Sequence, residues 1–175
     1  MKTIAEQFKN LGFEEQANRV EKAKKEERKV DEELKNMVHL KLDHMEDSFL
    51  MFSTHPINIA LAIRYGKIAT EKDWSRNLLT NEVKYQYNKV KKLFEEHGTL
   101  GRESFLASTY DIESVCFVKA TFRLLKNLVA NPDLCKDYDF KSKVLAALKE
   151  YETSITKIQS SNNSTQHVID EKIKI

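Results

Sequence analysis

TYDIESVCFVKATFRLLKNLVA, residues 109–130, is the stretch of sequence that decides the fold. In a helix its apolar residues would cover far more than one face: Ile112, Val115, Cys116, Phe117, Val118, Ala120, Phe122, Leu124, Leu125, Leu128 and Val129. A helix that is apolar most of the way round must be covered by its neighbours. The sequence therefore predicts a buried central helix at 109–130 with other helices packed around it.

The composition of the chain favours an all-α fold. Its 175 residues include only 4 Gly and 2 Pro, whereas a β-rich fold needs many turns that contain these residues. Apolar residues make up 41% of the chain and charged residues 32%, which is typical of a globular domain. We therefore expect one domain at residues 1–160, a helical bundle of about six helices.

The segment before residue 53 predicts a long N-terminal helix. Thr3 and Glu6 form a capping-box pattern for a short first helix, and Gly12 is a natural stop. Residues 14–52 then contain no Gly or Pro and keep a helical period of apolar residues. A single helix there would be about 58 Å long, longer than a domain of this size is wide. Part of it is therefore expected to project from the bundle.

The projecting part is expected to be residues 14–36, which are mostly charged and alternate in sign. Their apolar stripe is thin, as in a projecting arm or a coiled-coil seam. This pattern favours a protein partner, or a second copy of the chain, bound along the long helix. The candidate partner-binding residues are Lys22, Lys25, Arg28, Lys29, Leu34 and Met37.

Proline, glycine and a capping residue predict the bounds of the next two helices. Pro56 suits a first helical position, and Gly66 is expected to close a short helix. A strand is the alternative for residues 57–63, because β-branched side chains are frequent there. Thr80 or its neighbour is expected to cap a helix that ends at His97. The residues of that helix expected to face inward are Val83, Tyr87, Val90 and Phe94.

The C-terminal part of the sequence divides in two. An apolar stripe predicts a last helix from Asp139 onward, through Phe140, Val144, Leu148, Tyr151, Ile155 and Ile158. Residues 161–175 are expected to form a polar linker and a C-terminal tail.

One face of the long helix combines an imidazole with carboxylates. His39, Asp43 and Glu46 fall at i, i+4 and i+7, which places all three on one side of a helix. Helical bundles build metal sites from such faces, with further ligands from other helices. No second helix supplies a Glu-x-x-His pattern, so a hydrated surface is the favoured interpretation and no metal is expected. A metal-dependent helical-bundle enzyme is the second alternative function.

Basic residues interleave with aromatic residues in a pattern found in nucleic-acid surfaces. A turn, the helix after it and the polar face of the central helix contribute Arg64, Lys72, Trp74, Arg76, Lys84, Lys91, Lys92, Lys119, Arg123 and Lys126. If these groups converge, they would form a groove for a phosphate backbone with stacking rings. Otherwise the lysines are ordinary solvated residues and the rings belong to the core, which is the favoured interpretation.

Three stretches carry a family resemblance: LLTNEVKYQYNKVKKL at 78–93, the helix at 111–130 and DFKSKVLAALKEYET at 139–153. In these the chain resembles the small helical subunit of type III CRISPR effector complexes. That subunit lines a guide–target duplex with basic helices, so the resemblance implies nucleic-acid binding as the alternative function. It does not extend to the first 75 residues, and Arg123-Leu124-Leu125 stands where the family has Ala-Gly-Arg.

The sequence lacks the usual motifs of catalysis. It contains no Gly-rich phosphate loop, nucleophile elbow, His-Glu-x-x-His or Cys pair, and its net charge is only +2. No signal peptide or membrane span is evident, so we expect a cytoplasmic protein with reduced cysteines and no membrane partner. The expected function is non-enzymatic: a helical subunit, adaptor or inhibitor, of bacterial or phage accessory type, that binds a partner macromolecule without a cofactor.

Overall fold

The chain forms six α-helices in the part that the structure describes. This computed structural model describes residues 1–42, 55–97 and 112–173, with side chains throughout apart from those of 93–97 and 164–173. The helices are α1 (Ile4–Asn10), α2 (Glu14–Asn36), α3 (Pro56–Ala69), α4 (Asp73–His97), α5 (Ile112–Ala130) and α6 (Tyr138–Ile173). Two 3-10 turns, Met37–Leu40 and Pro132–Leu134, complete the regular structure of these residues. The prediction of an all-α bundle is confirmed.

Helix α5 is the buried centre of the bundle, as predicted. Buried side chains surround most of its circumference: Val115, Cys116, Val118, Ala120, Phe122, Leu124, Leu125 and Val129. It packs against α2, α3 and α4 and against both 3-10 turns. Residues 109–111, which were expected to begin this helix, lie outside the described residues.

Helix α1 begins and ends where the sequence predicts. The Thr3 hydroxyl accepts a hydrogen bond from the Glu6 N–H, and the Glu6 carboxylate accepts one from the Thr3 N–H. Gly12 adopts a φ of 80°, a conformation that favours glycine, and turns the chain back. As a result α1 packs against α2, with Lys9 Nζ 3.2 Å from Glu21 Oε1.

Helix α2 packs against α6, where Asp31 pairs with Lys141 and Glu33 pairs with Lys149. Ahead of these pairs, residues 21–29 are all exposed. Such a run makes about two and a half turns, so every side of the helix faces solvent there. We call residues 21–29 the charged arm.

Helix α2 ends earlier than the sequence predicts. A single helix over 14–52 is wrong, because α2 stops at Asn36, a 3-10 turn follows and Lys41 adopts a left-handed φ of 50°. The turn carries Met37 and Leu42 into the core, where only 6% and 5% of their surfaces are exposed. Burial of these side chains outweighs the local preference for continuing the helix. Residues 43–54 lie outside the described residues.

Two boundaries in the middle of the chain also differ from prediction. Gly66 does not close α3, which is helical as far as Ala69, so the strand alternative for residues 57–63 is wrong. Helix α4 begins at Asp73, and Thr80 therefore lies inside it. Tyr87, which was expected to face inward, is 42% exposed.

Helix α6 runs antiparallel to α3. Tyr151 of α6 bonds to Asn58 near the start of α3, whereas Lys143, earlier in α6, pairs with Glu71 just after the end of α3. It continues to Ile173, so the expected polar linker is helical over residues 161–173. No Gly or Pro interrupts this segment, and nearby Ser and Thr hydroxyls donate to carbonyls four residues earlier. Among the described helices, none combines the length and apolar character needed to cross a membrane.

Candidate functional site

A groove opens at one end of the bundle, between the first turns of α4, the last turns of α5 and the start of α6. Its volume is about 870 Å³. The apolar lining is Tyr65, Trp74, Leu78, Leu124, Leu128, Leu134, Tyr138 and Phe140, and the polar lining is Asn127, Asn131, Cys135, Lys136 and Asp137. A concave surface with an apolar floor and few polar groups is typical of a binding site.

Three aromatic rings form the floor of the groove. Phe140 is 4% exposed and packs edge-on against Trp74, with 4.8 Å between ring centroids, and against Tyr65, with 6.1 Å. Edge-to-face pairs of this kind favour a defined arrangement of the rings. Burial raises the pKa of the Tyr65 hydroxyl, so the phenol is neutral at physiological pH. The floor is therefore uncharged and held in place.

The rim of the groove carries large apolar side chains that are exposed. Leu134 is 80% exposed, Leu78 44% and Trp74 42%. Leu134 lies in the 3-10 turn after α5, in which Pro132 is buried and Leu134 stands in solvent. Exposed apolar side chains that gather around one concavity mark interaction sites.

Asp137 holds in place the start of α6, which forms one wall of the groove. Lys72 Nζ donates to both of its carboxylate oxygens at 2.6 Å, and Trp74 Nε1 donates to Oδ2 at 3.2 Å. The carboxylate also accepts the Phe140 N–H at 3.1 Å, as an N-cap residue does. The hydrogen bond from Lys72 holds the pKa of Asp137 below its ordinary value. The carboxylate of Asp137 therefore joins the turn before α4, the first turn of α4 and the first turn of α6.

The basic candidates from the sequence are not assembled into one phosphate-binding surface. Arg64 pairs with Glu150, whereas Lys72 pairs with Asp137. These two points lie about 20 Å apart along α6. Each cation already faces a carboxylate, so a phosphate would have to displace that partner.

The other two arginines of this set are also engaged. Arg76 Nη1 lies 3.1 Å from Asp73 Oδ1. Arg123 Nε lies 3.3 Å from Glu82 Oε1, and its guanidinium stacks over the Tyr85 ring at 4.3 Å from the centroid. Such pairing reduces the positive charge that the first turn of α4 and the middle of α5 present to solvent.

The predicted basic stripe on α5 is not a solvated face, because Lys119 is only 5% exposed. The remaining lysines of the candidate set are exposed: Lys84, Lys91, Lys92 and Lys126. They lie on the outer surface of α4 and near the end of α5.

His39 does not lie in a metal site of the described residues. Its Nδ1 is 2.6 Å from the Asn36 carbonyl oxygen, and its Nε2 is 2.6 Å from Glu152 Oε1. The backbone acceptor, and then Glu152, raise the pKa of His39, because both ring nitrogens donate in the protonated form. Its expected companions Asp43 and Glu46 lie outside the described residues. In the described ranges no cluster of three or more His, Cys, Asp or Glu side chains could hold a metal ion.

The structure divides the partner-binding candidates of α2 and the turn after it. The four basic residues are exposed: Lys22, Lys25, Arg28 and Lys29. Leu34 is fully buried and Met37 is 6% exposed, so neither side chain can reach a partner. The prediction that Leu34 and Met37 bind a partner is wrong for the same reason that α2 ends early, since both residues pack into the core.

The groove was not predicted from the sequence. Trp74 and Leu78 come from α4 and Leu134 from the turn after α5, and these meet only in the folded chain. The one local signal is a leucine directly after Pro132-Asp133, at a break where apolar side chains are rarely needed.

Comparisons with known proteins return nothing: no family model, no curated protein and no solved structure matches the chain.

Proposed function

We propose that the chain is a non-enzymatic helical adaptor or subunit that binds a partner protein through the groove between α4, α5 and α6. The observation that carries this proposal is the exposed cluster of Trp74, Leu78 and Leu134 on the rim. Covering apolar surface is favourable by about 25 cal/mol per Å². A partner that buries this rim would therefore gain affinity from the side chains that the bundle leaves in water.

The lining indicates what kind of segment would fit. The apolar floor suits leucine or aromatic anchors. Asn127 in the last turn of α5 and Asn131 directly after that helix offer amide donors and acceptors to a peptide. Lys136 is exposed beside the groove and favours a carboxylate. The proposed partner segment is an amphipathic one with large apolar residues on one side and an acidic residue next to them.

The charged arm supports the same proposal. Asp31, two residues after the arm, pairs with Lys141, which is next to Phe140 of the groove lining, so the arm joins the bundle near the groove. Exposed charges at the margin of a binding surface act mainly on the association rate and its salt dependence. We assign Lys22, Lys25, Arg28 and Lys29 this secondary role.

A pair of matched variants tests the proposal. Leu134→Asp places a charge on the groove rim, and Val38→Asp places one at an equally exposed position, 70% exposed, after α2. Both variants should fold, which circular dichroism checks. In a pull-down from cells of the source organism, proteins captured by the wild type and by Val38→Asp should be lost with Leu134→Asp. Capture that is the same for all three would contradict the proposal.

Trp74 provides a direct reporter, because it is the only tryptophan of the chain and lies in the groove. Titration with a captured partner should shift its fluorescence emission to shorter wavelength as water leaves the ring. Tight binding without any change in Trp74 emission would place the partner elsewhere.

The proposal includes a cytoplasmic location. Neither Cys116 nor Cys135 forms a disulfide, the state that a reducing compartment preserves.

Nucleic-acid binding is the alternative proposal. Its support is the exposure of Lys84 and Lys91, which lie seven residues apart on one side of α4, together with Lys126. Affinity for RNA or DNA at low salt that falls steeply as salt rises would favour it. Leu134→Asp should leave such binding unchanged, which separates this alternative from the groove.

A further inference from the structure

The C-terminal part of α6 extends beyond the bundle. Among the described side chains of this helix, Ile155 is the last that packs against the core. Residues 156–163 are all exposed, and the helix continues to Ile173. The extension from residue 156 to Ile173 measures about 27 Å. A helix of this length in water is marginal without a surface to pack on.

The stripe of α6 that faces the core continues into this extension. Val144, Leu148 and Tyr151 are buried at successive intervals of four and three residues. The same intervals continue in the sequence with Ile155, Ile158, Asn162, Thr165, Ile169 and Lys172. Alternating intervals of three and four residues define the a and d positions of a coiled coil. In this register Ile155, Asn162 and Ile169 occupy a positions.

We propose that residues 155–173 of α6 pair with the same residues of a second copy of the chain, as a parallel two-stranded coiled coil. Asn162 is the first argument for a second copy. A single asparagine at an a position weakens a coiled coil but specifies its register and number of strands. In a parallel pair of identical chains, Asn162 faces the partner's Asn162, so the two amides can bond to each other.

The flanking positions are the second argument. Recognition of a different chain usually relies on complementary charges at e and g. Here these positions are Gln159, Ser161, Gln166, Val168 and Ile173, none of which is charged. The flanking positions of two identical copies therefore carry no like charges, and the one charged residue of the seam is Lys172, in its last turn.

The pairing is independent of the proposed protein-binding function. The groove lies at the start of α6, beside Tyr138 and Phe140, whereas the extension begins after Ile155. A variant of the extension should therefore leave the groove intact, and each proposal can fail without the other.

The first test is the mass of the full chain in solution, measured by sedimentation equilibrium over a series of concentrations. We expect an equilibrium between monomer and dimer. Ile158→Lys, at a d position, should weaken the dimer by about tenfold or more. The control Thr156→Lys, at an outward b position of the same turn, should not. A chain that stays monomeric throughout, or equal effects of the two variants, would overturn the proposal.

The second test addresses orientation. In a Cys135→Ala background, which leaves only the buried Cys116, Asn162→Cys should form a disulfide-linked dimer under a mild oxidant. Asn162→Ile should tighten association and admit other numbers of strands. A dimer that persists without cross-linking of Asn162→Cys would show an antiparallel or different interface, including one through α2, and would overturn the parallel pairing.

Discussion

The hydroxyl of Tyr151 donates a 2.8 Å hydrogen bond to Oδ1 of Asn58 inside the core, and so ties the end of the packed part of α6 to the start of α3. Both residues are buried, with 8% and 3% of their surfaces exposed. Burial raises the pKa of Tyr151 to about 12, so the phenol keeps its proton and remains a donor. The pair is a buried polar link between the two helices.

Tyr151→Phe should therefore lower the free energy of unfolding by about 1–2 kcal/mol, because it removes the phenol donor from a buried amide. Urea denaturation followed by circular dichroism measures the change. Tyr87→Phe is the matched control, since Tyr87 is 42% exposed and its substitution should change stability by less than about 0.5 kcal/mol. Equal effects of the two variants would refute the structural role of the hydrogen bond.

Removing one or the other partner of the ion pair between Lys141 and Asp31 should lower the stability by different amounts. Lys141 is 4% exposed, and its Nζ lies 2.5 Å from Asp31 Oδ1 and 3.2 Å from the Pro132 carbonyl oxygen. Asp31→Ala would leave a buried ammonium without its counter-charge and should cost about 3 kcal/mol. Lys141→Met removes the buried charge itself and should cost distinctly less.

The control for these variants is the exposed pair of Lys149 and Glu33, whose side chains are 53% and 28% exposed. Glu33→Ala should cost less than about 1 kcal/mol. If Asp31→Ala were as mild as Glu33→Ala in chemical denaturation, the pair with Lys141 would not be the buried one that the contacts describe.

The close approach of α3 and α5 at Gly66 predicts that substitutions of Gly66 and Phe117 have non-additive effects on stability. A Cβ at Gly66 would stand 2.7 Å from Cζ of Phe117. Gly66→Ala should destabilise the wild type by about 1 kcal/mol, because the ring must move. In a Phe117→Leu background the same change should stabilise by up to about 1 kcal/mol, since alanine favours a helix over glycine. A double-mutant cycle measures this, and equal effects in both backgrounds would contradict it.

Asp137 predicts a loss of stability in acid. Its pKa in the folded chain is lowered, mainly by the hydrogen bond from Lys72, relative to an unfolded value of about 3.9. The stabilisation is therefore fully present above that unfolded value and is lost as the pH falls through the folded pKa. Asp137→Asn keeps an N-cap acceptor but lacks the charge. It should be less stable than the wild type at neutral pH, and the gap should close in acid.

The measurement is chemical denaturation of both proteins at a series of pH values. Asp139→Asn is the control, because Asp139 Oδ2 lies 3.4 Å from Lys72 on the exposed side of the same lysine. It should show a smaller gap at neutral pH. A constant difference between wild type and Asp137→Asn at every pH would refute the role of the charge.

Local patterns were sufficient for several elements. The central helix could be predicted because residues 112–130 are apolar around most of the circumference, which requires cover whatever the neighbours are. The start of α1 and the turn at Gly12 followed from capping and backbone preferences that act within four residues. Pro56 stands in the first turn of α3 for the same kind of reason.

Boundaries set by distant contacts could not be read from the sequence. The end of α2 at Asn36 depends on the burial of Met37 and Leu42 by helices far along the chain. The same packing removed Leu34 and Met37 from the set of residues open to a partner. The groove depends on the meeting of α4, α5 and α6, so no single stretch carries its pattern. The sequence predicted a solvated Lys119, and its burial could not be foreseen because it depends on the packing of the assembled bundle.

The length of α6 has a consequence for how the whole molecule would engage its target. The groove lies at the start of this helix, and the extension proposed to form a coiled coil is its other end. Two copies paired in parallel through residues 155–173 would hold their bundles side by side, with both grooves at the end of the dimer remote from the coil. Such a bivalent arrangement would bind a target with repeated sites far more tightly than one groove alone, because the second contact becomes intramolecular.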